Sequence, residues 1–136
     1  MAMSDSGVVS KLRRCGCQPT AQRMEVAEVL FERPQHLSAD QILERLRTAG
    51  SRVSKATVYN TLRLFSQCGL VHEINVDPTR KFYDSTTHPH HHFYNADTGE
   101  LTDIPADQIG VSGVPELPPG TEQQGIEVLI RVRERR

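Results

Sequence analysis

At 136 residues the chain is long enough for one ordinary domain or two small ones. No apolar run reaches the roughly 18 residues of a membrane span, and the polar start carries no secretory signal. The cysteines Cys15, Cys17 and Cys68 are odd in number and form no repeated CxxC motif, which argues against a disulfide framework and a cysteine zinc site. We therefore expect a soluble cytoplasmic protein with no membrane partner.

The net charge of −1 conceals an asymmetry along the chain. Residues 1–83 carry 12 Lys or Arg and 8 Asp or Glu, which gives +4, whereas residues 84–136 carry 4 and 9, which gives −5. A basic half followed by an acidic, histidine-rich half predicts two parts with different tasks. The alternative is a chance segregation of solvated charges.

The first half of the chain has the apolar spacing of short helices. They are expected over residues 8–14, 20–31, 38–50 and 54–68. The second of them should bury a broad face made of Met24, Ala27, Val29, Leu30 and Phe31. Ser38 with Gln41 three residues later is typical of a capping box, and Ser54 is expected to cap the last helix. Short helices with tight connections predict a helix-turn-helix unit.

After Gly69 the pattern changes to the alternation of strands. The stretch LVHEINV, the turn DPTR and the return KFYDS predict a β-hairpin directly after the last helix. A helix-turn-helix followed by a hairpin is the winged-helix arrangement.

The second half predicts a small sheet. The stretch HHFYNADTGELTDI is typical of a hairpin that turns at residues 95–99, and one helical turn is expected over residues 105–109. A Pro/Gly-rich loop and a long closing strand, GIEVLIRVRER, follow. Strands so few have little core and exposed edges, which favours a sheet shared across a homodimer. The predicted fold class is α+β, with a winged helix-turn-helix domain over residues 1–84 and a small α/β dimerisation domain over residues 85–136.

The polar side of the last helix carries residue types that contact phosphates and base edges. Basic residues near the start of the second helix could hold the flanking DNA backbone. The predicted DNA-binding residues are Arg13, Arg14, Arg23, Ser54, Lys55, Thr57, Tyr59, Asn60 and Arg63. The alternatives are a solvated helix face and a winged helix that binds protein.

Four of the six histidines lie in STTHPHHHFYN. On a strand, alternation places His90 and His92 on one face, where two imidazoles can hold one metal, and His91 on the other. Carboxylates can come from the end of the wing and from the paired strand, and a further imidazole from the loop before the third helix. The candidate ligands are His36, Asp84, His90, His92 and Asp103, a set that suits Mn²⁺, Fe²⁺ or Zn²⁺. The alternative is a solvated histidine loop.

Three stretches resemble the ferric uptake regulator family: HLSADQILERL, ATVYNTLRLFSQCGLV and HPHHHFYNADTGELTDI. The resemblance extends from about Leu12 to Val132. Within the family it is greatest to the iron response regulators of alphaproteobacteria, because of the uninterrupted HHH, the following DIP, the Pro-rich loop and the ending IRVRERR. It implies a homodimeric, metal- or haem-responsive transcription regulator of iron homeostasis, not an enzyme, that binds promoter operators in double-stranded DNA. The five candidate ligands match the family's sensory site position by position.

The resemblance to iron response regulators also implies haem as a second ligand of the histidine triplet, with His90, His91 and His92 as candidates. His91 is the first choice because it faces away from the metal pair, and His88 is a reserve. Asp at both carboxylate positions resembles the peroxide-sensing branch as well. The alternative function is therefore a peroxide-sensing repressor that uses Fe²⁺ at the same site.

The sequence departs from the family's pattern in three places. Asn95 and Thr98 occupy the positions of the first CxxC pair, and the C-terminus has no cysteine, so no structural zinc held by four cysteines is expected. The N-terminal Cys-Pro haem motif is missing, and all three cysteines are expected to be buried or incidental thiols rather than redox sensors. Gln18 and Ala21 stand where the family leads us to expect basic residues, which would weaken flanking DNA contacts.

Two further classes of function compete with the regulator. A metalloenzyme is disfavoured because the sequence shows no separate general base, nucleophile or substrate pocket, and five ligands leave little open coordination. A metal-buffering protein without a DNA role is the other alternative, and salt-dependent DNA binding would argue against it.

Overall fold

The computed structural model describes residues 5–136, with side chains from Gly7 onward, as two compact units divided between Thr87 and His88. The sequence places the domain boundary after Asp84. The division lies further along the chain because Ser85 is bonded to the first unit. Its N–H donates to the Gln35 carbonyl at 3.1 Å, and its hydroxyl accepts the Gln35 N–H at 3.2 Å.

Helices form most of the N-terminal unit: α1 (Asp5–Arg14), α2 (Ala21–Phe31), α3 (Ala39–Thr48) and α4 (Lys55–Gln67). Both predicted caps are confirmed. Ser38 Oγ accepts the Gln41 N–H while the Gln41 side chain accepts the Ser38 N–H, and Ser54 Oγ accepts the Thr57 N–H. These bonds satisfy amide groups that a helix start otherwise leaves without a partner.

Most of the core of this unit is formed by one face of each helix. The residues on these faces are Val8 and Leu12 of α1, Val26, Ala27 and Leu30 of α2, Ile42 and Leu46 of α3, and Val58, Leu62 and Phe65 of α4. The buried face of α2 is narrower than the sequence indicated. Met24, Val29 and Phe31 only pack against the core from partly buried positions, and Val26, which the prediction omitted, lies inside it.

A three-stranded antiparallel sheet completes the N-terminal unit. Its strands are β1 (His36–Ser38), β2 (His72–Asp77) and β3 (Arg80–Asp84), in the order β1-β3-β2. The predicted hairpin is present, and Asp77 Oδ1 stabilises its turn by accepting the Thr79 N–H and hydroxyl, both at 2.9 Å. These bonds lower the pKa of Asp77. The result is the predicted winged helix-turn-helix. The prediction did not include β1, because a strand of three residues is too short to show an alternating pattern.

The C-terminal unit is a second three-stranded sheet: β4 (His90–Asn95), β5 (Leu101–Pro105) and β6 (Leu129–Val132), in the order β5-β4-β6. β4 and β5 form the predicted antiparallel hairpin. Asn95 Oδ1 accepts the N–H groups of Asp97 and Thr98 in its turn, and Gly99 has the positive φ of 77° that closes it. β6, near the end of the chain, pairs with β4 in parallel.

The prediction of an α/β fold for this second domain was wrong. Within residues 88–136, all of which are described, the helical structure is a single 3₁₀ turn over Ala106–Gln108. The segment between it and β6 contains three prolines and four glycines, which oppose helix formation. β6 is also shorter than expected. Just before it, the Val128 N–H donates to the His91 ring at 2.9 Å while the Val128 carbonyl accepts the His92 N–H at 3.1 Å.

The expectation that the cysteines are incidental thiols was wrong for two of them. Cys15 and Cys68 are joined in a disulfide bond within the N-terminal unit, with their Cα atoms 5.5 Å apart. They are 53 positions apart in the sequence, so no local pattern could pair them. Cys17 is a buried free thiol. Among the residues that the structure describes, no helix is both long and apolar enough to cross a membrane.

Candidate metal centre and nucleic-acid interface

His90, His92 and Asp103 form a compact cluster in the C-terminal unit. The two rings lie on the same face of β4 with centroids 4.5 Å apart, as strand alternation predicted. Asp103 lies opposite His92 on β5, and its Oδ1 is 3.6 Å from His90 Nε2 and 3.3 Å from His92 Nε2. Both histidines are buried, whereas the Asp103 side chain is half exposed.

The spacing of these atoms suits a shared metal ion. Donor atoms that are each about 2.1 Å from one ion lie roughly 3.0–3.4 Å apart when the bonds meet at about 90–110°. The His92–Asp103 distance falls in that range, the His90–Asp103 distance is slightly longer, and all three residues have ligand atoms within 4.8 Å of one another. The cluster therefore requires only small side-chain movements to bind a divalent ion.

The other nitrogen of His90 orients the ring. Nδ1 lies 2.8 Å from the His88 carbonyl oxygen. Because a carbonyl can only accept, Nδ1 must carry the proton, and the lone pair of the neutral ring is then on Nε2, the nitrogen that faces Asp103. Metal-bound histidines commonly have such a partner, which fixes the tautomer and the ring orientation. The donor set thus fits a divalent cation in its chemistry as well as in its spacing.

His91 points to the other face and has a structural role. Its Nδ1 accepts the Val128 N–H at 2.9 Å and so joins the start of β6 to β4. A neutral imidazole that accepts at Nδ1 carries its proton on Nε2 and has no lone pair left for iron. This bond argues against the prediction that His91 is an open axial ligand for haem. His88, the reserve candidate, is exposed and its ring lies 5.6 Å from that of His90.

The remaining two candidate ligands lie together in the N-terminal unit. His36 on β1 pairs with Asp84 on β3, so it is a strand residue and not, as predicted, part of a loop. Asp84 is buried, and its Oδ1 accepts the Thr86 N–H at 2.9 Å. His72 on β2 lies opposite Asp84 from the other side, so that the sheet aligns His36, Asp84 and His72 in one row.

Gln35 holds β1 in position, and no motif in the sequence indicated this role. Its Nε2 donates to the carbonyls of Val29 and Leu30 at the end of α2, at 2.7 and 3.3 Å. Its Oε1 accepts Arg45 Nη1 at 2.9 Å. A glutamine between a helix and a strand is too common to be singled out, yet these bonds fix the backbone next to His36.

The exposed face of α4 carries most of the predicted DNA contacts. Lys55, Tyr59, Asn60 and Arg63 are exposed, while the opposite face of the helix is buried in the core. Arg63 Nη2 donates to Asn60 Oδ1 at 2.7 Å, so these two side chains are already oriented. Lys55 lies 5.9 Å from the centre of the Tyr59 ring. The face is a polar, basic surface that can enter a major groove.

The other predicted DNA contacts have different surroundings. Arg13 and Arg14 are exposed at the end of α1. Arg23 Nη1 donates to the Gln18 carbonyl at 3.0 Å, which holds its guanidinium at the start of α2. The hydroxyl groups of Ser54 and Thr57 are bonded to each other at 2.9 Å within the helix cap, which uses part of their capacity for DNA.

Tyr83 lies beside Asp84 on β3 and is 5% exposed. Burial of the phenol, together with the negative charge of Glu73 opposite it on β2, raises the pKa of Tyr83 to about 12. The hydroxyl is therefore neutral throughout the physiological range and adds no charge of its own near Asp84.

A winged helix with an exposed basic face, followed by a sheet with a histidine–carboxylate cluster, is typical of metal-responsive transcription regulators. The chain belongs to the ferric uptake regulator family, whose sequence profile, "Ferric uptake regulator family", matches residues 14–113. Members of this family are transcription regulators and not enzymes, and they bind DNA as dimers.

Two curated relatives are similar in sequence. The peroxide-responsive repressor PerR of Staphylococcus epidermidis is 31% identical over 101 residues, which are 74% of this chain and 67% of the relative. The PerR of Staphylococcus aureus strain COL has the same identity over 74% of this chain and 68% of its own.

Solved structures of the family resemble this chain over most of its length. The ferric uptake regulator of Pseudomonas aeruginosa, solved with manganese, is 26% identical and has a TM-score of 0.71 over 93% of this chain and 97% of its own. The Vibrio cholerae ferric uptake regulator is 22% identical, with a TM-score of 0.72 over 92% and 98% of the two chains, and shows the shared fold.

Proposed function

We propose that this chain is a homodimeric repressor that binds operators in double-stranded DNA when a divalent ion, Mn²⁺, Fe²⁺ or Zn²⁺, is bound by His36, Asp84, His90, His92 and Asp103. The observation that carries the proposal is the cluster on β4 and β5, in which two buried imidazoles and one carboxylate are spaced for a single ion. The Pseudomonas aeruginosa structure, which was solved with manganese, supports the choice of ion.

The ligand set comes from two units, and this gives the ion a regulatory role. His36 and Asp84 belong to the winged-helix unit, and the other three ligands to the C-terminal unit. Asp84 and His90 are separated by five residues, which span at most roughly 20 Å, so one ion can draw on both sets. An ion held by both units restricts how the DNA-binding unit can move. A preference of about 1–3 kcal/mol for the DNA-competent arrangement is enough for useful regulation.

A homodimer is supported by apolar surface on the C-terminal sheet. Phe93 on β4 and Ile130 on β6 are register partners and are 41% and 37% exposed, and Val132 is as exposed as Ile130. Both outer strands of this small sheet also have an edge without a strand partner among residues 88–136. Pairing with a second copy would cover these groups, and it would bring two α4 helices to one operator.

Two physiological signals remain candidates for the same site. Iron homeostasis is favoured by the resemblance of the histidine triplet and its surroundings to iron response regulators. Peroxide sensing is favoured by the relatives named peroxide-responsive repressor PerR and by the two aspartates of the ligand set. Haem binding stays a prediction, and the hydrogen bond of His91 counts against the residue first chosen for it.

DNA binding is tested by selecting duplexes from a random-sequence library with the Mn²⁺-loaded full chain. We expect a two-fold symmetric motif whose half-sites are about one helical turn, or roughly 34 Å, apart. We also expect the affinity to fall steeply with salt, since phosphate contacts release counterions. Recovery of unrelated sequences, or a DNA affinity that does not change with salt concentration, would refute the proposal and favour a metal-buffering protein.

Peroxide treatment separates the two signals. An Fe²⁺-loaded peroxide sensor should gain one oxygen atom on His36 or His90, whereas an Mn²⁺-loaded control should not. Peptide mass spectrometry locates the added oxygen. If the Fe²⁺-loaded protein binds its selected operator and gains no oxygen at equimolar peroxide, the iron-responsive role is favoured. Oxidation of a histidine with loss of DNA binding would favour the peroxide-sensing role.

A further inference from the structure

Cys15 and Cys68 occupy equivalent positions at the ends of two helices. Cys15 follows α1 and precedes Gly16, whereas Cys68 follows α4 and precedes Gly69, and both glycines have positive φ, 78° and 79°. The Cα atoms of the two cysteines are 5.5 Å apart, within the roughly 4.4–6.8 Å that disulfide bonds span.

The backbone around each cysteine is fixed by its own hydrogen bonds. At the end of α1 the Cys17 N–H donates to the Leu12 carbonyl, and at the end of α4 the Leu70 N–H donates to the Phe65 carbonyl, both at 2.9 Å. This closure, with glycine in the left-handed conformation, is a common way to end a helix. The two cysteine positions therefore face each other because the helices end there, and the reduced thiols would remain neighbours.

The core of the unit does not depend on the bond. Val8 and Leu12 anchor α1 in the core from fully buried positions, so we expect the helix to remain packed when the disulfide is reduced. Both bonded cysteines are only partly buried and can be reached by small reagents. Cys17 differs, because it is 3% exposed. The two cysteines are accessible, their positions are fixed by the backbone, and the core packs without the bond. A disulfide under these conditions can open and close in the folded protein.

We propose that Cys15 and Cys68 form a reversible dithiol–disulfide site that hydroperoxides oxidise. One thiol loses its proton and its thiolate attacks the peroxide, so that the O–O bond breaks and the sulfur becomes a sulfenic acid; the departing oxygen takes up a proton and leaves as water or an alcohol. The second thiol attacks the sulfenic sulfur, the disulfide forms and water leaves. With hydrogen peroxide, two thiols lose two electrons and two protons, and the peroxide becomes two waters. A dithiol reductant reverses the reaction by thiol–disulfide exchange.

The bond would act directly on the DNA-binding unit. It joins the end of α1, which carries Arg13 and Arg14, to the end of α4, which carries the exposed polar face. This input is chemically separate from the histidine–carboxylate cluster and needs no metal. The thiol reaction itself is also independent of whether the proposed operator binding is correct.

The test uses the full chain, reduced and kept in excess chelator so that no metal-dependent histidine oxidation can occur. Stoichiometric hydrogen peroxide should produce a peptide linked through Cys15 and Cys68, with Cys17 left as the one thiol that is alkylated after unfolding. A dithiol reductant should remove the link while the protein is folded. Because the bond closes a loop of about 50 residues, oxidation should raise the thermal unfolding midpoint by about 10 °C.

Single variants serve as controls. Cys17→Ser should keep the linked peptide and the thermal shift. Cys15→Ser and Cys68→Ser should lose both the linked peptide and the thermal shift. In each variant, dimedone should trap the remaining member of the pair, Cys68 or Cys15, as a sulfenic acid. The proposal is overturned if all three thiols stay alkylatable after peroxide, if Cys17 enters the bond, or if the bond resists the reductant in the folded protein. None of these results would bear on metal-dependent DNA binding, which is measured separately.

Discussion

Replacing His92 with alanine is the sharpest single test of the metal cluster. His92 Nε2 is 3.3 Å from Asp103 Oδ1, and its ring packs 4.5 Å from that of His90. His92→Ala removes one nitrogen donor and leaves the other residues of the cluster in place. It should weaken metal binding more than it disturbs the sheet, because alanine retains the backbone bonds of β4.

The size of the effect follows from linkage between binding and folding. Loss of a residue that only supports a ligand typically costs about 10–100-fold in metal affinity, so loss of a ligand should cost about 100-fold or more. At a free Mn²⁺ concentration of about 100 times the wild-type dissociation constant, binding stabilises the wild type by about 2.7 kcal/mol. At the same concentration, Mn²⁺ stabilises a variant that binds it about 100-fold more weakly by only about 0.4 kcal/mol.

Urea unfolding with and without Mn²⁺ measures this gain, and His91→Asn is the matched control. His91 is a neighbouring buried histidine on the opposite face, and asparagine retains an acceptor for the Val128 N–H. We expect the control to keep most of the roughly 2.7 kcal/mol gain although its stability without metal is lower. Equal losses of the gain in His92→Ala and His91→Asn would refute the reasoning that β4 has one metal-binding face.

Three further predictions concern the N-terminal unit. Because its pKa is raised to about 12, Tyr83 contributes to the free energy of unfolding fully below pH 10, and this contribution is lost as the pH rises towards 12. In urea unfolding, the wild type should therefore lose about 1 kcal/mol more stability between pH 9 and pH 11 than Tyr83→Phe does. Leu62→Ala should cost about 2–5 kcal/mol in urea unfolding because its side chain is fully buried, whereas Leu117→Ala, at an exposed position, should change little. Lys55→Ala should reduce the slope of log affinity against log salt by about 1 in anisotropy titrations with selected DNA, and Arg133→Ala, in the other unit, should not.

The local features of the fold could be predicted from the sequence. Ser38 with Gln41 and Ser54 with Thr57 are short-range pairs, and the capping bonds formed as expected. The alternation of the histidines placed two rings on one face of β4 because a strand leaves no other choice. The hairpin turns were equally local, since their glycine, proline and asparagine residues determine the backbone directly.

The missed features all depend on contacts between distant parts of the chain. The Cys15–Cys68 bond joins residues 53 positions apart, and the Val128 N–H finds the His91 ring across 37 positions. That second contact lies just before β6 and occupies the histidine chosen for haem. The row through His36 and Asp84 needed β1, which is too short to show a period. None of these pairings leaves a signal in the composition or spacing of a single sequence.

The central claim is that an ion at the histidine–carboxylate cluster controls the affinity for DNA. It is tested most directly by the dissociation constant for a selected duplex, measured by anisotropy with Mn²⁺ and with chelator, for the wild type and for His90→Ala/His92→Ala. We expect Mn²⁺ to tighten binding by the wild type about 5–150-fold and to leave the variant near the chelated value. The account would be contradicted if the dissociation constants with chelator and with Mn²⁺ had the same ratio in both proteins, or if they were equal in the wild type.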